Sequence, residues 1–172
     1  MLVLILAGEI IFGLPFHLAR YYRPSFLESL GLSNTELGDI FAIYGLAATA
    51  AYFLGGPIAD RLPAKRLMVF SLFATACGGP ILLLLPSVLL LKILYGYWGL
   101  TTILLFWAPL IRSTRNWGGN FYQGRAFGFL DGGRGLIAAL VASVGVLILS
   151  RSLDSENVIE NVVVYYVCLT LI

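Results

Sequence analysis

An all-helical bundle embedded in a membrane, with five complete spans and the start of a sixth, is the fold class this sequence predicts, on three observations. Hydrophobic residues make up 59% of its 172 positions and charged residues only 12%, where soluble domains average about a quarter charged. Several apolar runs reach the ~20 residues that cross about 30 Å of hydrocarbon. The runs lack the strict alternation of barrel strands, so they read as helices, which satisfy their own backbone groups in lipid.

The first span covers residues 2–26, apolar at first and increasingly polar through His17, Arg20, Tyr21, Tyr22 and Arg23. It runs past Pro15 without a small-residue cleavage site, so it reads as a retained span and not a removable leader. Next comes "LSNTELG", where Ser33 and Glu36 have the spacing of a capping box that satisfies free donors at a helix start. The second span is therefore placed at 34–59. The third, 66–85, is expected to weaken or bend around Gly78-Gly79-Pro80. Pro86-Ser87 marks a tight connection to the fourth span at 88–111. "RSTRNWGGNFYQGR" reads as a polar loop before the fifth span, 123–149. "SRSLDSEN" is the last loop, and a sixth stretch, 158–172, is too short to cross.

Charge position matters more than the net charge of +2, which points to no nucleic-acid partner. Arg61, Lys65 and Arg66 fall between spans two and three, and Arg112, Arg115 and Arg125 between four and five. Glu28, Glu36, Asp154, Glu156 and Glu160 fall on the opposite side. Basic loops stay cytoplasmic, which places the amino end inside. Cys77 and Cys168 lie in apolar runs without ligand spacing and read as small hydrophobes. No Walker loop, HExxH, Gly-x-Ser-x-Gly or cysteine–histidine metal spacing occurs, so neither an enzyme nor a metal or other cofactor is expected. Gly124, Gly128 and Gly132 repeat every fourth residue, a stripe that lets membrane helices pack backbone to backbone.

Several ionisable residues fall inside the apolar spans. Arg134 lies about ten residues into span five, roughly 15 Å deep at 1.5 Å per residue. An arginine at the bilayer centre costs at least about 2.5–3.5 kcal/mol and normally faces a cavity or a partner. It either contacts a bound molecule or pairs with Asp131, three residues back on the same helix. Arg20 either faces a central cavity or snorkels to the interface. His17 beside it reads first as a structural hydrogen-bonder. Glu9, in an apolar run, either binds a proton or pairs with a basic residue, and Asp131 is the other acid placed for ion coupling. Tyr44 and Trp107 line a cavity or simply pack. Guanidinium forks bind phosphate, sulfonate or carboxylate through paired hydrogen bonds, so two arginines would suit a multivalent anion if both faced one cavity.

In "GGPIADRLPAKRL", residues 55–67, Gly56 is followed by Asp60-Arg61 and then Lys65-Arg66. This resembles the cytoplasmic loop signature between helices two and three of the major facilitator superfamily. A second stretch, "WAPLIRSTRNWGGNFYQGRAFGFLDGGRGL", resembles the helix four to five region of the branch holding organophosphate/phosphate antiporters and sugar or sugar-acid porters. It carries Trp107-Ala108-Pro109, Arg112, Trp117 and Gly124-Arg125-Ala126-Phe127-Gly128, although "NWGGNFYQGR" lengthens the usual loop. With "LSNTELG", the likeness extends over almost the whole chain.

The resemblance implies the amino-terminal half of a transporter whose two six-helix bundles, each built of inverted three-helix repeats, rock about a midplane site. Its opposing half would be a further part of the same polypeptide. The implied function is secondary active transport of a small organic anion, a sugar phosphate, sulfonate or sugar acid, across a prokaryotic inner membrane. A neutral-sugar or drug porter driven by protons, or a non-transporting receptor or assembly subunit, are the alternatives. By the same resemblance Gly56, Asp60, Arg61, Lys65, Arg66, Arg112 and Arg125 would latch the cytoplasmic side. Arg134 and Arg20 would contact the anion.

Overall fold

A computed structural model describes residues 1–151 and 158–172, and every regular element among them is helical. The first span is not one helix. α1 (Leu2–Ile10) gives way to a π-helical turn, Gly13–His17, and then α2 (Leu18–Tyr21), with a 45° bend between the two parts. Pro15 is the cause: it has no N–H for the carbonyl of Ile11 and its ring crowds the preceding turn. The ladder widens instead, so that the His17 amide reaches back five residues to Phe12 O at 3.2 Å. Tyr22 breaks the helix again before α3 (Arg23–Leu30), which Gly31 ends in the left-handed conformation at φ 61°. There the Leu32 amide returns to Leu27 O at 2.9 Å, a glycine-terminated helix end.

α4 (Asn34–Arg61) begins at the expected cap. The Glu36 amide donates to Ser33 Oγ at 3.2 Å, and the Ser33 amide donates to Glu36 Oε2 at 2.8 Å. It ends where Leu62 is driven into extended backbone by Pro63. α5 (Ala64–Leu82) runs unbroken through Gly78-Gly79-Pro80. These glycines serve close approach: a Cβ on Gly78 would sit 2.6 Å from Trp98 Nε1, and one on Gly79 would collide with Val167.

α6 (Val88–Thr102), capped by Ser87, leads through a second π-helical turn, Ile103–Trp107, into α7 (Ala108–Gly118). The helix thus persists seven residues past the predicted end at 111. Only 119–122 separate it from α8 (Gln123–Arg151), so most of the segment read as a polar loop is helical. α9 (Val158–Leu171) closes the described chain. The acidic loop residues Asp154 and Glu156 lie outside the described residues.

Among the described residues, three helices are long and apolar enough to cross a membrane: Asn34–Arg61, Val88–Gly118 and Gln123–Arg151. The bent amino-terminal pair makes a fourth if counted as one span. α5 opens on Lys65 and Arg66, which shortens its apolar length. Outward faces are greasy, with Leu46, Phe53, Phe70, Phe73, Leu136 and Leu147 all exposed, as an acyl-chain environment requires.

Inside, Trp98, Tyr95, Tyr22, Tyr166, Phe26 and Phe106 are fully buried. Helices are tied across the core by hydroxyls that would otherwise be unpaired in apolar surroundings. Ser71 Oγ donates to Thr101 O at 2.6 Å, Trp98 Nε1 to Thr75 O at 2.9 Å, and Tyr44 and Thr102 hydroxyls lie 2.6 Å apart. Tyr22 binds the first span to the last two helices: its hydroxyl donates to Ala142 O at 2.9 Å and lies 3.4 Å from the Tyr166 hydroxyl. Tyr22→Phe is expected to cost about 1–2 kcal/mol, since it deletes the donor and strands buried acceptors. A lowered melting temperature of the detergent-purified protein checks this.

Candidate functional site

The Pro15 bend brings Glu9 and His17, eight residues apart, to face the same point on α8. Glu9 Oε2 accepts from Arg134 Nε at 3.1 Å, and Glu9 Oε1 lies 3.0 Å from His17 Nε2. Glu9 is 8% and His17 5% exposed. Arg134 keeps a side chain 19% exposed, and its Nη1 lies 3.7 Å from Asp131, whose own side chain is 71% exposed. The pairing read from the sequence is therefore present but secondary. The principal partner of Arg134 is Glu9, 125 residues away.

Two aromatic rings complete the seat. The guanidinium carbon lies 5.6 Å from the ring centroids of both Phe12 and Trp107, in reach of cation–π attraction, which strengthens when water is excluded. Trp107 is held edge-on to Phe12 at 6.1 Å. The sequence left Glu9 to bind a proton or to pair with a basic residue, and the basic residue beside it is Arg134, a partner that, like Phe12, the sequence did not name. The only signal was that two opposite charges sat unexplained in apolar runs.

Beside this cluster opens a cavity of about 430 Å³ whose wall includes Glu9, His17, Arg20, Tyr44, Tyr52, Trp107 and Arg134. His17, Arg20, Tyr44, Trp107 and Arg134 thus share one wall. Arg20 is exposed, its guanidinium 5.7 Å from the Tyr21 ring, and makes no ion pair among the described residues. Tyr44 is buried, and its ring meets Phe16 edge-on at 4.7 Å. Its hydroxyl is taken up by Thr102, so packing and lining coincide.

The residues expected to form a latch gather at the other end. Arg112 reaches back from α7 to the end of α4: Nη1 donates to Ala59 O and Nη2 to Leu62 O at 2.9 Å. A cation there satisfies terminal carbonyls and complements the helix dipole. Asp60 shares an open pocket of about 810 Å³ with Gly56, Arg112 and Arg115. Asp60, Arg61, Lys65 and Arg66 are exposed, and Arg125 lies 5.5 Å from the Tyr122 ring. Ion pairs among the described residues join Glu9, His17, Arg134 and Asp131, and Lys92 to Asp39, so none links latch residues to one another. Gly55, not Gly56, makes the close approach, 3.2 Å from Leu104 O to a built Cβ. Likewise Gly124, Gly128 and Gly132 face open space, while Gly133 and Gly145 on the same helix pack against Ile5 and the Tyr22 hydroxyl.

Comparison with known proteins gives this arrangement a context. The chain is 32% identical over 140 residues to Inner membrane protein YihN of Escherichia coli (strain K12), covering 81% of this chain and 33% of that one. It is 28% identical over 158 residues to Inner membrane protein YqcE of the same organism, covering 90% and 37%. A third relative, Uncharacterized protein MG294 homolog of Mycoplasma pneumoniae (strain ATCC 29342 / M129 / Subtype 1), is 23% identical over 165 residues. The chain spans about a third of the length of these curated relatives. No solved structure matches it. The family model described as Major Facilitator Superfamily matches residues 5–170. With that match along nearly its entire length, the chain is an integral membrane protein that belongs to the Major Facilitator Superfamily.

Proposed function

We propose that this chain is the amino-terminal bundle of a secondary active transporter that moves a small organic anion by alternating access. In this reading the bent first span, α4, α5, the α6–α7 helix and α8 make five crossings, α9 belongs to a sixth, and the amino end is cytoplasmic in a prokaryotic inner membrane. The family is one of membrane transporters, and the opposing bundle would come from further along the same polypeptide. The end that holds Asp60, Arg61, Lys65, Arg66, Arg112 and Arg125 is then the cytoplasmic gate.

One observation carries the substrate class: two arginines from different helices, Arg20 and Arg134, border the same cavity. Glu9 balances Arg134, and Arg20 is left as the cation without an acid beside it among the described residues. A negatively charged group entering the cavity therefore meets net positive potential. The balanced Arg134–Glu9 pair also favours a second reading, a neutral sugar bound by polar groups alone.

Uptake into proteoliposomes by the protein made from its complete reading frame separates the two readings. Gluconate, ethanesulfonate and a glycerol phosphate are compared with glucose. At least one anion is expected to enter well above the rate of glucose. Arg20→Ala is expected to slow that uptake roughly tenfold or more, the worth of a lost hydrogen bond to a charged group at about 1.5–3 kcal/mol. Faster entry of glucose than of every anion would replace the anion reading with the neutral one.

A further inference from the structure

A further cavity, of about 570 Å³, opens between the carboxyl end of the first span and α4. Its wall shares Phe16, Arg20 and Tyr44 with the cavity that holds Arg134, so the two adjoin at Arg20. Phe16 and Phe41 stack face to face at 5.4 Å along it, which leaves charge to its arginines. Beyond Arg20 it gains one more cation, Arg23, and no acid among the described residues. Tyr22 breaks the helix between the two arginines, so Arg23 opens α3, and its guanidinium is held from α4. Nε and Nη2 of Arg23 both donate to Asn34 Oδ1, at 3.2 and 2.6 Å. An amide oxygen fixes the fork without neutralising it. The acids on the adjoining elements do not reach the charge. Glu36 accepts from the amide and hydroxyl of Ser33, Asp39 pairs with Lys92 at 3.0 Å, and Glu28 borders neither cavity.

We propose that Arg23 and Arg20 form a second anion subsite at the outer mouth of the transporter, where a carboxylate, sulfonate or phosphate group docks before it reaches Arg134. The proposal rests on the anion reading and on its orientation, which puts the carboxyl end of the first span at the outer face. An anion arriving from water meets Arg23 first. Because Asn34 already holds that fork in place, little side-chain freedom is lost when the anion docks. Arg20 stands on both walls, so a group leaving Arg23 moves inward without leaving the reach of a cation. The uncompensated pair raises the local concentration of anions at the mouth, and salt weakens the effect because Arg23 is exposed. A neutral sugar gains nothing from it. Selection by charge therefore begins at Arg23, with Asn34 as its positioning residue.

Uptake kinetics and charge-restoring chemistry test this on the protein made from its complete reading frame, with whichever of gluconate, ethanesulfonate or glycerol phosphate is transported. Arg23→Gln is expected to raise KM for uptake about two- to fivefold with little change in kcat, the range of a solvent-screened charge contact. Added salt is expected to raise KM in wild type and to raise it less in Arg23→Gln. Asn34→Asp sets a carboxylate on the fork in the first turn of α4, where an acid suits the helix, and is expected to raise KM without loss of melting temperature. Arg23→Cys, in a protein whose other cysteines are serine, supplies a second measurement. A membrane-impermeant cationic methanethiosulfonate added outside is expected to bring KM back toward wild type, and an anionic one to raise it further. The transported anion is expected to slow both modifications. Unchanged KM in Arg23→Gln, equal effects of the two reagents, or modification that the anion does not slow overturns the subsite. Entry of no anion faster than glucose overturns the anion reading instead.

Discussion

Replacing Arg134 with alanine is expected to abolish anion uptake, a fall of roughly 30- to 4,000-fold. Truncating one partner of a buried, hydrogen-bonded charge pair costs about 2–5 kcal/mol, and each 1.4 kcal/mol is tenfold. The substitution also leaves Glu9 buried without its cation, so part of the damage falls on stability. Arg134→Ala combined with Glu9→Gln separates the two effects. The double variant no longer strands a carboxylate and is expected to recover most of the melting temperature while uptake stays lost. Arg134→Lys is expected to keep the fold and transport poorly, because an ammonium offers no fork to a planar anion and stacks less well between Phe12 and Trp107. Equal uptake in wild type and Arg134→Ala would remove the residue from the binding site.

The second large effect is structural. A Cβ at Gly99 would lie 2.6 Å from Tyr44 O, 3.0 Å from Ala47 Cβ and 3.2 Å from Ala48 N. Two of those three atoms are backbone, which cannot rotate aside. Gly99→Leu is therefore expected to force α4 and α6 apart, at or above the upper end of the about 1–3 kcal/mol of ordinary overpacking. It would also break the Tyr44–Thr102 contact that holds a wall of the cavity. Gly96→Ala is the control: its Cβ would meet only Ile43 Cγ2, at 3.3 Å, and alanine gains helix propensity over glycine. Melting temperature and folded yield in membranes check both variants, and equal stability of Gly99→Leu and wild type would refute the close approach.

Much of this was open to reading along the chain, and what escaped did so for physical reasons. The capping box of Ser33 and Glu36 is local, so the start of α4 at Asn34 was legible. The depth of Arg134 was too, because helix rise converts position into distance. Its partner was not, since nothing local connects residue 134 to residue 9. Pro15 was visible, but that the ladder would widen into a π-helical turn and so point His17 back at Glu9 depends on tertiary packing. The α6–α7 helix was cut short at Ile111 because a charge run normally marks a loop. Arg112 instead finds carbonyl acceptors at the end of α4, and the helix continues to Gly118. Gly78-Gly79-Pro80 carried the composition of a bend, yet its glycines make room for Trp98 and Val167. A glycine pair looks the same in sequence whether it loosens a helix or admits a neighbour.

The central claim is that Arg134 and Arg20 hold a cargo anion in the cavity they both border. The most direct measurement is a cryo-electron microscopy structure of the complete protein with the best-transported anion of the uptake panel bound. The expected result places an oxygen of that anion at hydrogen-bonding distance from Arg134, inside that cavity. Anion density elsewhere would contradict it.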